Sequence, residues 1–375
     1  MRRNLGFLFL ILTVFFLNLS VGLNSSIFNN FVSQELKLEP SQLGILEAFR
    51  ETPGLLIAFI TAILISLKKQ HLAFLSFILV GIGFSLYSRV TDLSGLISAG
   101  ITWSLGLHCW MTLNPIFTLG LVSDNERGKS LGSITSASSF ASLTSMGIVL
   151  ILGNKIPYRS YYLLAGLFPL ISSILILKVP YTSRTSIDPP PLVFKKKYTL
   201  YYILNFLDGS RRQIFATFAL FVLTKIYKVQ VQYVALLLIV NSIVNMIMAP
   251  NAGKLIDRFG ERHILVLSYL GVLFIFIGYV LARSVTVLSV LYCLDNLLFN
   301  FSIALTTYIA KISQPEDLSP NISMGTTVNH IAAVAIPIVG GMLWERFNYQ
   351  TMFLLGTVIV GISMLASTKI KIQIE

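Results

Sequence analysis

The chain has 375 residues, of which 55% are hydrophobic and 12% are charged, and its formal net charge is +12. A soluble globular domain carries about 25% charged residues, so the composition argues against a protein whose main solvent is water. The basic residues lie in short clusters between apolar runs, which argues against nucleic-acid binding. Only Cys109 and Cys293 occur, both within apolar runs, so neither a disulfide framework nor a metal or cofactor site is predicted.

Apolar runs recur along the whole chain, and a spanning helix needs about 20 residues of this kind. The opening residues 1–22 resemble a signal peptide, with cleavage near 20–22 as one interpretation, but an uncleaved first span fits the regular series that follows. The sequence therefore predicts twelve transmembrane helices, near residues 5–30, 40–66, 71–88, 94–118, 129–153, 160–178, 198–225, 229–250, 263–282, 286–311, 322–345 and 348–368.

The distribution of basic residues predicts the orientation of these spans. If the N-terminus lies inside, the termini and the even-numbered connections hold most of the 28 Lys and Arg residues. Cytoplasmic segments carry such an excess. We therefore expect an integral, multi-pass protein of the plasma (inner) membrane with both termini in the cytoplasm.

The connection at residues 180–197 contains a proline run and a lysine run, and it divides the chain nearly in half. Residues 67–77 resemble residues 259–269, which occupy the corresponding loop of the second half. Duplicated halves are common in secondary transporters. The predicted organisation is an N-terminal six-helix bundle at residues 1–179, a cytoplasmic central loop at 180–197 and a C-terminal six-helix bundle at 198–375.

Charged residues within the predicted spans indicate a binding site. Each ionisable group inside a bilayer costs at least about 2.5–3.5 kcal/mol, so such groups normally face a bundle interior or a watery cavity. Placing the middle of each span at the bilayer centre brings several polar residues to one layer, where transporters bind their solutes. These residues are Arg50, Glu51, His108, Asp208, Arg211, Arg212, Asp295, Asn296 and His330, with Asn18 and Asn241 nearby.

Span 7 carries an excess of positive charge. Asp208 can pair with Arg211 at i+3 or with Arg212 at i+4, but the two arginines point about 100° apart on a helix, so one carboxylate does not satisfy both. The remaining guanidinium could bind a carboxylate or phosphate. Structural ion pairs between helices remain the alternative, also for Glu47 and Arg50 in span 2. The predicted substrate-binding residues are Asn18, Arg50, His108, Arg211, Arg212, Asn296 and His330.

Asp295 has no basic residue within one helical turn of its own span. A lone carboxyl in a low dielectric is a candidate to bind and release a proton, and His108 or His330 could take part in the proton transfer. The alternative for either histidine is a hydrogen-bonded packing role. The predicted proton-coupling residues are Glu51, Asp208 and Asp295.

Residues 253–262, GKLIDRFGER, resemble the loop motif G-x-x-x-D-R-x-G-R-[RK] of the major facilitator superfamily. Glu261 replaces a basic residue of that motif, and the equivalent first-half loop at 65–71 lacks the glycine and the Asp-Arg pair. Further resemblance lies in IPIVGG at 336–341. The predicted gating-loop residues are Gly253, Asp257, Arg258, Gly260 and Arg262.

This resemblance implies an all-α membrane protein in which two six-helix bundles give alternating access to a central cavity lined by spans 1, 4, 7 and 10, and it implies a monomer. The sequence thus predicts a proton-coupled secondary active transporter of a small organic solute, with an anion favoured. An exporter of amphipathic or cationic compounds and a transporter-like sensor without flux stay open. An enzyme is disfavoured because no HExxH and no Asp-rich metal motif occurs in the sequence.

Overall fold

A computed structural model describes residues 2–63, 68–122, 126–180 and 194–371, and this part of the chain is helical without strands. Ten of its helical segments, each of 19 to 32 residues, are long and apolar enough to cross a membrane. Helices α2 (Pro40–Ile63) and α7 (Thr199–Lys225) have comparable lengths of 24 and 27 residues and carry the charged residues predicted for spans 2 and 7. The predicted fold class of twelve membrane-spanning helices is confirmed.

The tenth span is interrupted, so the twelve spans contain thirteen α-helices among the described residues. A short 3-10 turn, Asn300–Ser302, separates its two helices. In the first half the other helices are α1 (Arg2–Asn30), α3 (Lys69–Tyr87), α4 (Leu93–Gly120), α5 (Arg127–Leu152) and α6 (Tyr158–Ile176). In the second half they are α8 (Val231–Phe259), α9 (Glu261–Leu281), α10 (Val285–Phe299), α11 (Ile303–Ile312), α12 (Pro315–Arg346) and α13 (Tyr349–Ser367).

Local sequence signals fix several helix ends. Helix α12 begins well before the predicted residue 322 because Pro315 suits the first helical turn and Glu316 and Asp317 follow it. The Asp92 carboxylate accepts a hydrogen bond from the Gly95 N–H at 2.7 Å and caps α4. Asn348 caps α13 in the same way, through the Thr351 N–H at 2.9 Å.

The chain forms two compact units, each of which takes residues from both halves of the sequence. Unit 1 comprises Met1–Lys37, Phe49–Pro189 and Val229–Ile239. Unit 2 comprises Leu38–Ala48, Pro190–Lys228 and Val240–Glu375.

The two units repeat one packing pattern. In unit 1, α1 packs on α5 and α6, while α3 packs on α4 and α6. In unit 2, α7 packs on α12 and α13, while α9 packs on α10 and α13, which are the corresponding spans. Small residues allow close approach in both units. A Cβ at Gly83 would lie 2.5 Å from the Trp103 nitrogen, and one at Gly356 would lie 2.1 Å from the Phe276 ring.

Candidate functional site

Unit 2 contains a charge cluster, formed by five side chains of α7 and α10. Its members are Asp208, Arg211, Arg212, Asp295 and Asn296. Asp295 is 0% exposed and Arg211 is 1% exposed. Two carboxylates and two guanidinium groups give the cluster a formal charge of zero, which is what a low-dielectric interior tolerates.

Arg211 is held by Asp208 on its own helix. Its Nε donates to Asp208 Oδ1 at 2.9 Å, and its Nη2 lies 2.9 Å from the same oxygen. The Tyr269 hydroxyl of α9 also donates to Asp208 Oδ1, at 3.2 Å. The guanidinium carbon of Arg211 lies 5.7 Å from the ring centroids of Tyr269 and Phe299. This pair is therefore buried and bonded on several sides, as expected of a structural ion pair.

Asp295 lies between the two arginines of α7. Arg211 Nη1 lies 3.5 Å from Asp295 Oδ1, and Arg212 Nη1 lies 3.6 Å from Asp295 Oδ2. Neither carboxylate oxygen accepts a hydrogen bond from the residues that the structure describes. Asp295 has no basic neighbour along its own helix, but the packing of α10 on α7 supplies two. A buried carboxylate that has two ion pairs but accepts no hydrogen bond is unusual and calls for an explanation.

Arg212 differs from Arg211 because its side chain is 29% exposed. Its Nη1 reaches Asn296 Oδ1 at 3.4 Å, and its guanidinium carbon lies 4.1 Å from the ring centroid of Phe299. A cation over an aromatic face is held in place without using its N–H donors. Asp295 is the one carboxylate within ion-pair distance of Arg212 in the described ranges. Several donors of Arg212 thus remain available to a ligand.

The interruption of the tenth span positions this part of the cluster. Asn300, where the helix changes to a 3-10 turn, donates to Asn245 of α8 at 2.8 Å and to the carbonyl oxygens of Asn296 and Leu297 at 3.2 and 3.0 Å. Phe299 directly precedes this turn. Sequence reasoning missed Phe299 and Tyr269, although the i,i+3 spacing of Phe299 from Asn296 indicates a shared helix face.

Unit 1 holds a second set of predicted site residues. Arg50 and Glu51 lie 3.5 Å apart, and both are partly exposed. The Arg50 guanidinium carbon is 5.6 Å from the Trp103 ring centroid. The Ser104 hydroxyl donates to the Arg50 carbonyl and lies 3.1 Å from His108 Nδ1. Ser104 therefore connects His108 to the backbone of α2.

The remaining predicted residues lie elsewhere. In unit 1, the Asn18 amide donates to the Val14 carbonyl at 2.8 Å and to the Ser138 hydroxyl of α5 at 3.3 Å. In unit 2, Glu47 is buried in the N-terminal half of α2, and His330 is half-buried on α12. The structure thus brings Arg211, Arg212, Asp295 and Asn296 into one cluster and places Asn18 in separate contacts.

The loop between α8 and α9 has the turn that its glycine predicts. Gly260 adopts a φ of +79°, which favours glycine, and its N–H donates to the Ile256 carbonyl at 2.8 Å. A Cβ built at Gly253 meets nothing within 4 Å, so no described residue packs closely there. The loop borders a cavity of about 540 Å³. Its lining includes Asp257, Arg258, Gly260, Glu261, Arg262, His263, Lys311 and Lys371.

Glu261, which replaces a basic residue of the loop motif, is 1% exposed. Lys311 Nζ at the end of α11 lies 2.6 Å from its Oε1. The departure from the motif is therefore matched by a cation 50 positions further along the chain.

The end of the predicted central loop is tied to the start of α12. Lys195 pairs with Asp317, and Lys197 Nζ lies 2.9 Å from Asp317 Oδ2. The Tyr198 hydroxyl donates to the same carboxylate at 2.9 Å. The hydrogen bond with Tyr198, and next the one with Asp317, raises the pKa of Lys197 above its usual value.

These features define a multi-pass membrane protein with two related helical units and a buried ionic cluster. Residues 201–370 match the family model of the Major Facilitator Superfamily. The fold is similar to that of the nucleoside transporter NupG, with a TM-score of 0.82 and 15% identity over 98% of this chain and 100% of that one. A variant of NupG gives a TM-score of 0.83 and 14% identity over 97% and 99%.

A bacterial homolog of the human lysosomal transporter Spinster, in an inward-facing and unoccupied conformation, gives a TM-score of 0.74 and 12% identity over 98% of each chain. No curated protein matches the sequence. The resemblance to the major facilitator superfamily that the loop motif predicted is confirmed, and the chain has the transporter fold of that superfamily.

Proposed function

We propose that this protein is a proton-coupled secondary active transporter. It moves a small organic solute, with an anion favoured, across the plasma (inner) membrane by alternating access. The observation that carries this proposal is Arg212. It is a partly exposed guanidinium in a cluster whose other charged groups are buried, with a side chain held over Phe299 at 4.1 Å. A positioned guanidinium with unused donors suits a carboxylate or phosphate.

The proton site proposed is Asp295. Its oxygens accept no hydrogen bond from the described residues, whereas Asp208 is held by Arg211 and Tyr269 at 2.9 and 3.2 Å. Hydrogen bonds to a carboxylate stabilise its ionised form, so a carboxylate that accepts none gives up little stabilisation when it is protonated. Glu51, which lies beside Arg50 in unit 1, remains a second candidate for coupling.

An uncharged solute such as a nucleoside is the second candidate cargo. The similarity to a nucleoside transporter over nearly the whole chain favours it, as does the formal neutrality of the charge cluster. Asn296 and Arg212 would then bind hydroxyl and carbonyl groups, and Phe299 would stack on a base. Export of cations and ligand sensing without flux are further outcomes that the experiment below separates.

The topology proposed is that of the sequence prediction. Both termini lie in the cytoplasm, residues 180–197 form a cytoplasmic connection between bundles at 1–179 and 198–375, and the functional form is a monomer in the lipid bilayer. The positive-inside rule supports this orientation.

The test is internal pH in proteoliposomes while organic anions, nucleosides and organic cations are added outside in turn. We expect an anion to acidify the interior in wild type and in Arg346→Gln, an exposed arginine of the same unit, but not in Asp295→Asn. A response to nucleosides alone would select the second candidate. Specific binding without any flux would indicate a sensor and overturn the proposal of transport.

A further inference from the structure

Four asparagines of unit 2 lie on two helices at and next to the charge cluster. Asn241 and Asn245 are one helical turn apart on α8, and Asn296 and Asn300 are one turn apart where α10 ends. Residues four positions apart lie on the same face of a helix. The Asn300 amide joins the two helices, because its Nδ2 donates to Asn245 Oδ1 at 2.8 Å. We call these four side chains the amide strip.

Two members of the amide strip keep hydrogen-bonding groups that no described residue uses. The Asn245 side chain accepts through its oxygen from Asn300, and Asn300 donates through its Nδ2 to Asn245 and to two backbone carbonyl oxygens. The N–H groups of Asn245 and the side-chain oxygen of Asn300 therefore have no partner in the described part of the chain. Both residues are half-buried rather than sealed in the core. An unused amide donor and an unused amide acceptor thus lie side by side.

Asn241 gives an independent indication of a polar ligand. It is 5% exposed, and neither its Oδ1 nor its Nδ2 has a hydrogen-bond partner among the described residues. Buried polar side chains nearly always have such a partner, and the interior of a bilayer offers no water as a substitute. Asn241 lies on the same face of α8 as Asn245, one turn earlier. A polar solute along this face would supply the partner that Asn241 lacks.

Arg212 lies at one end of the amide strip. Its Nη1 reaches Asn296 Oδ1 at 3.4 Å, its side chain is 29% exposed, and its other N–H donors remain available to a ligand. Asn296 and Asn300 are four residues apart, which is a rise of roughly 6 Å along a helix. The chain of a small acid covers this distance with a few carbon–carbon bonds. A carboxylate bound to the guanidinium therefore brings the middle of such a chain to the amides of Asn245 and Asn300.

We propose that the amide strip selects hydroxylated anions, so that the cargo is a hydroxy acid of the sugar-acid class. Its carboxylate binds Arg212, and its hydroxyl groups, each a donor and an acceptor, bind Asn245 and Asn300. The proposal rests on the proposed function and names its substrate class. An apolar carboxylate of the same length would leave the amides unpaired, and a site that hydrogen-bonds a hydroxyl rejects the analogue without it. A neutral polyol would leave the Arg212 donors unused.

The first experiment compares matched ligands on the wild-type protein by calorimetry at one fixed pH. Gluconate and hexanoate are monocarboxylates with the same carbon chain length, and they differ in the hydroxyl groups; sorbitol has the hydroxyl groups without the charge. We expect gluconate, or its stereoisomer galactonate, to bind at least about tenfold more tightly than hexanoate or sorbitol. Equal affinity for hexanoate and both sugar acids would overturn the selection. Tighter binding of sorbitol or uridine than of either sugar acid would overturn it as well.

The second experiment assigns the selection to the amide strip. Asn245→Leu should weaken gluconate binding about tenfold, the effect of losing one hydrogen bond, and leave hexanoate binding unchanged. Asn251→Leu is the matched control, because Asn251 is an exposed residue of α8 that donates to the Ile247 carbonyl of its own helix. Arg212→Gln should weaken both carboxylates by the same factor. Full preference for gluconate in Asn245→Leu would contradict the role of the strip.

Uptake into wild-type proteoliposomes separates this inference from the proposed function and does not depend on the folding of a variant. We expect gluconate or galactonate to enter at a higher initial rate than hexanoate at the same concentration. Equal rates for the three carboxylates would leave the proposed anion transport intact and show that the amide strip does not select. No uptake of any solute would instead contradict the proposed function, and the substrate class with it.

Discussion

The two units share a packing pattern but differ in how they hold charge. Unit 1 places Arg50 and Glu51 at 3.5 Å from each other, with both side chains about one-fifth exposed. Unit 2 buries Asp208, Arg211 and Asp295 almost completely and leaves part of Arg212 exposed. The two units therefore share a scaffold, whereas their ionic sites differ. The comparison indicates that ion pairs contribute more to the stability of unit 2 than to that of unit 1.

The largest expected effect is on stability, from breaking the buried pair of unit 2. Arg211→Met leaves Asp208 and Asp295 with less compensation, and removal of one partner from a buried pair costs about 3–5 kcal/mol. Thermal unfolding in detergent, followed by circular dichroism, would measure it. Arg50→Met in unit 1 is the matched variant and should cost clearly less. Equal losses would break the distinction between the two units.

The next largest effect is expected on solute binding, with little change in stability. Arg212→Gln removes a charged donor that is partly exposed, and we expect solute affinity to fall about tenfold to a hundredfold, since a hydrogen bond to a charged group contributes about 1.5–3 kcal/mol. Its unfolding temperature should stay near that of wild type. Uptake assays of Arg212→Gln beside Arg50→Gln would sharpen the comparison. A variant of Arg212 that transports normally would show that the site lies elsewhere.

A smaller effect is expected at the loop between α8 and α9, which has no counterpart motif in unit 1. Lys311→Gln leaves the buried Glu261 carboxylate without its cation at 2.6 Å and should cost about 1–3 kcal/mol. The double variant with Glu261→Gln should recover part of that loss, because two neutral amides can hydrogen-bond. Chemical or thermal unfolding of the two single variants and the double variant gives the interaction energy between Glu261 and Lys311. Purely additive losses would contradict the pairing.

The smallest effect should be the same in both units. Asp92→Ala removes the cap of α4 in unit 1, and Asn348→Ala removes the cap of α13 in unit 2. Each should cost about 1 kcal/mol, the usual loss on replacing an N-cap by alanine. Thermal unfolding would check both. If the two losses of stability differed several-fold, the two units would differ more than their shared packing pattern indicates.

Much of the fold could be predicted because it depends on local properties of the chain. Apolar length gives the spans, the glycine at residue 260 gives the turn after α8, and the motif at residues 253–262 gives the resemblance to the superfamily. The pairing of Asp208 with Arg211 also follows from their i,i+3 spacing. The domain boundaries at 179 and 198 and the roles assigned to the site residues stay predictions.

The sequence by itself determined the number of spans, the repeat and the presence of charge near the middle of α7 and α10, because helix periodicity and apolar length act over a few residues. Only the tertiary structure decided that Asp295 meets two arginines more than 80 positions earlier, that Phe299 lies under Arg212, and that Glu261 pairs with Lys311. Such partners are set by the packing of one helix on another. Spacing along a single helix carries no information about which neighbouring helix supplies the opposite charge.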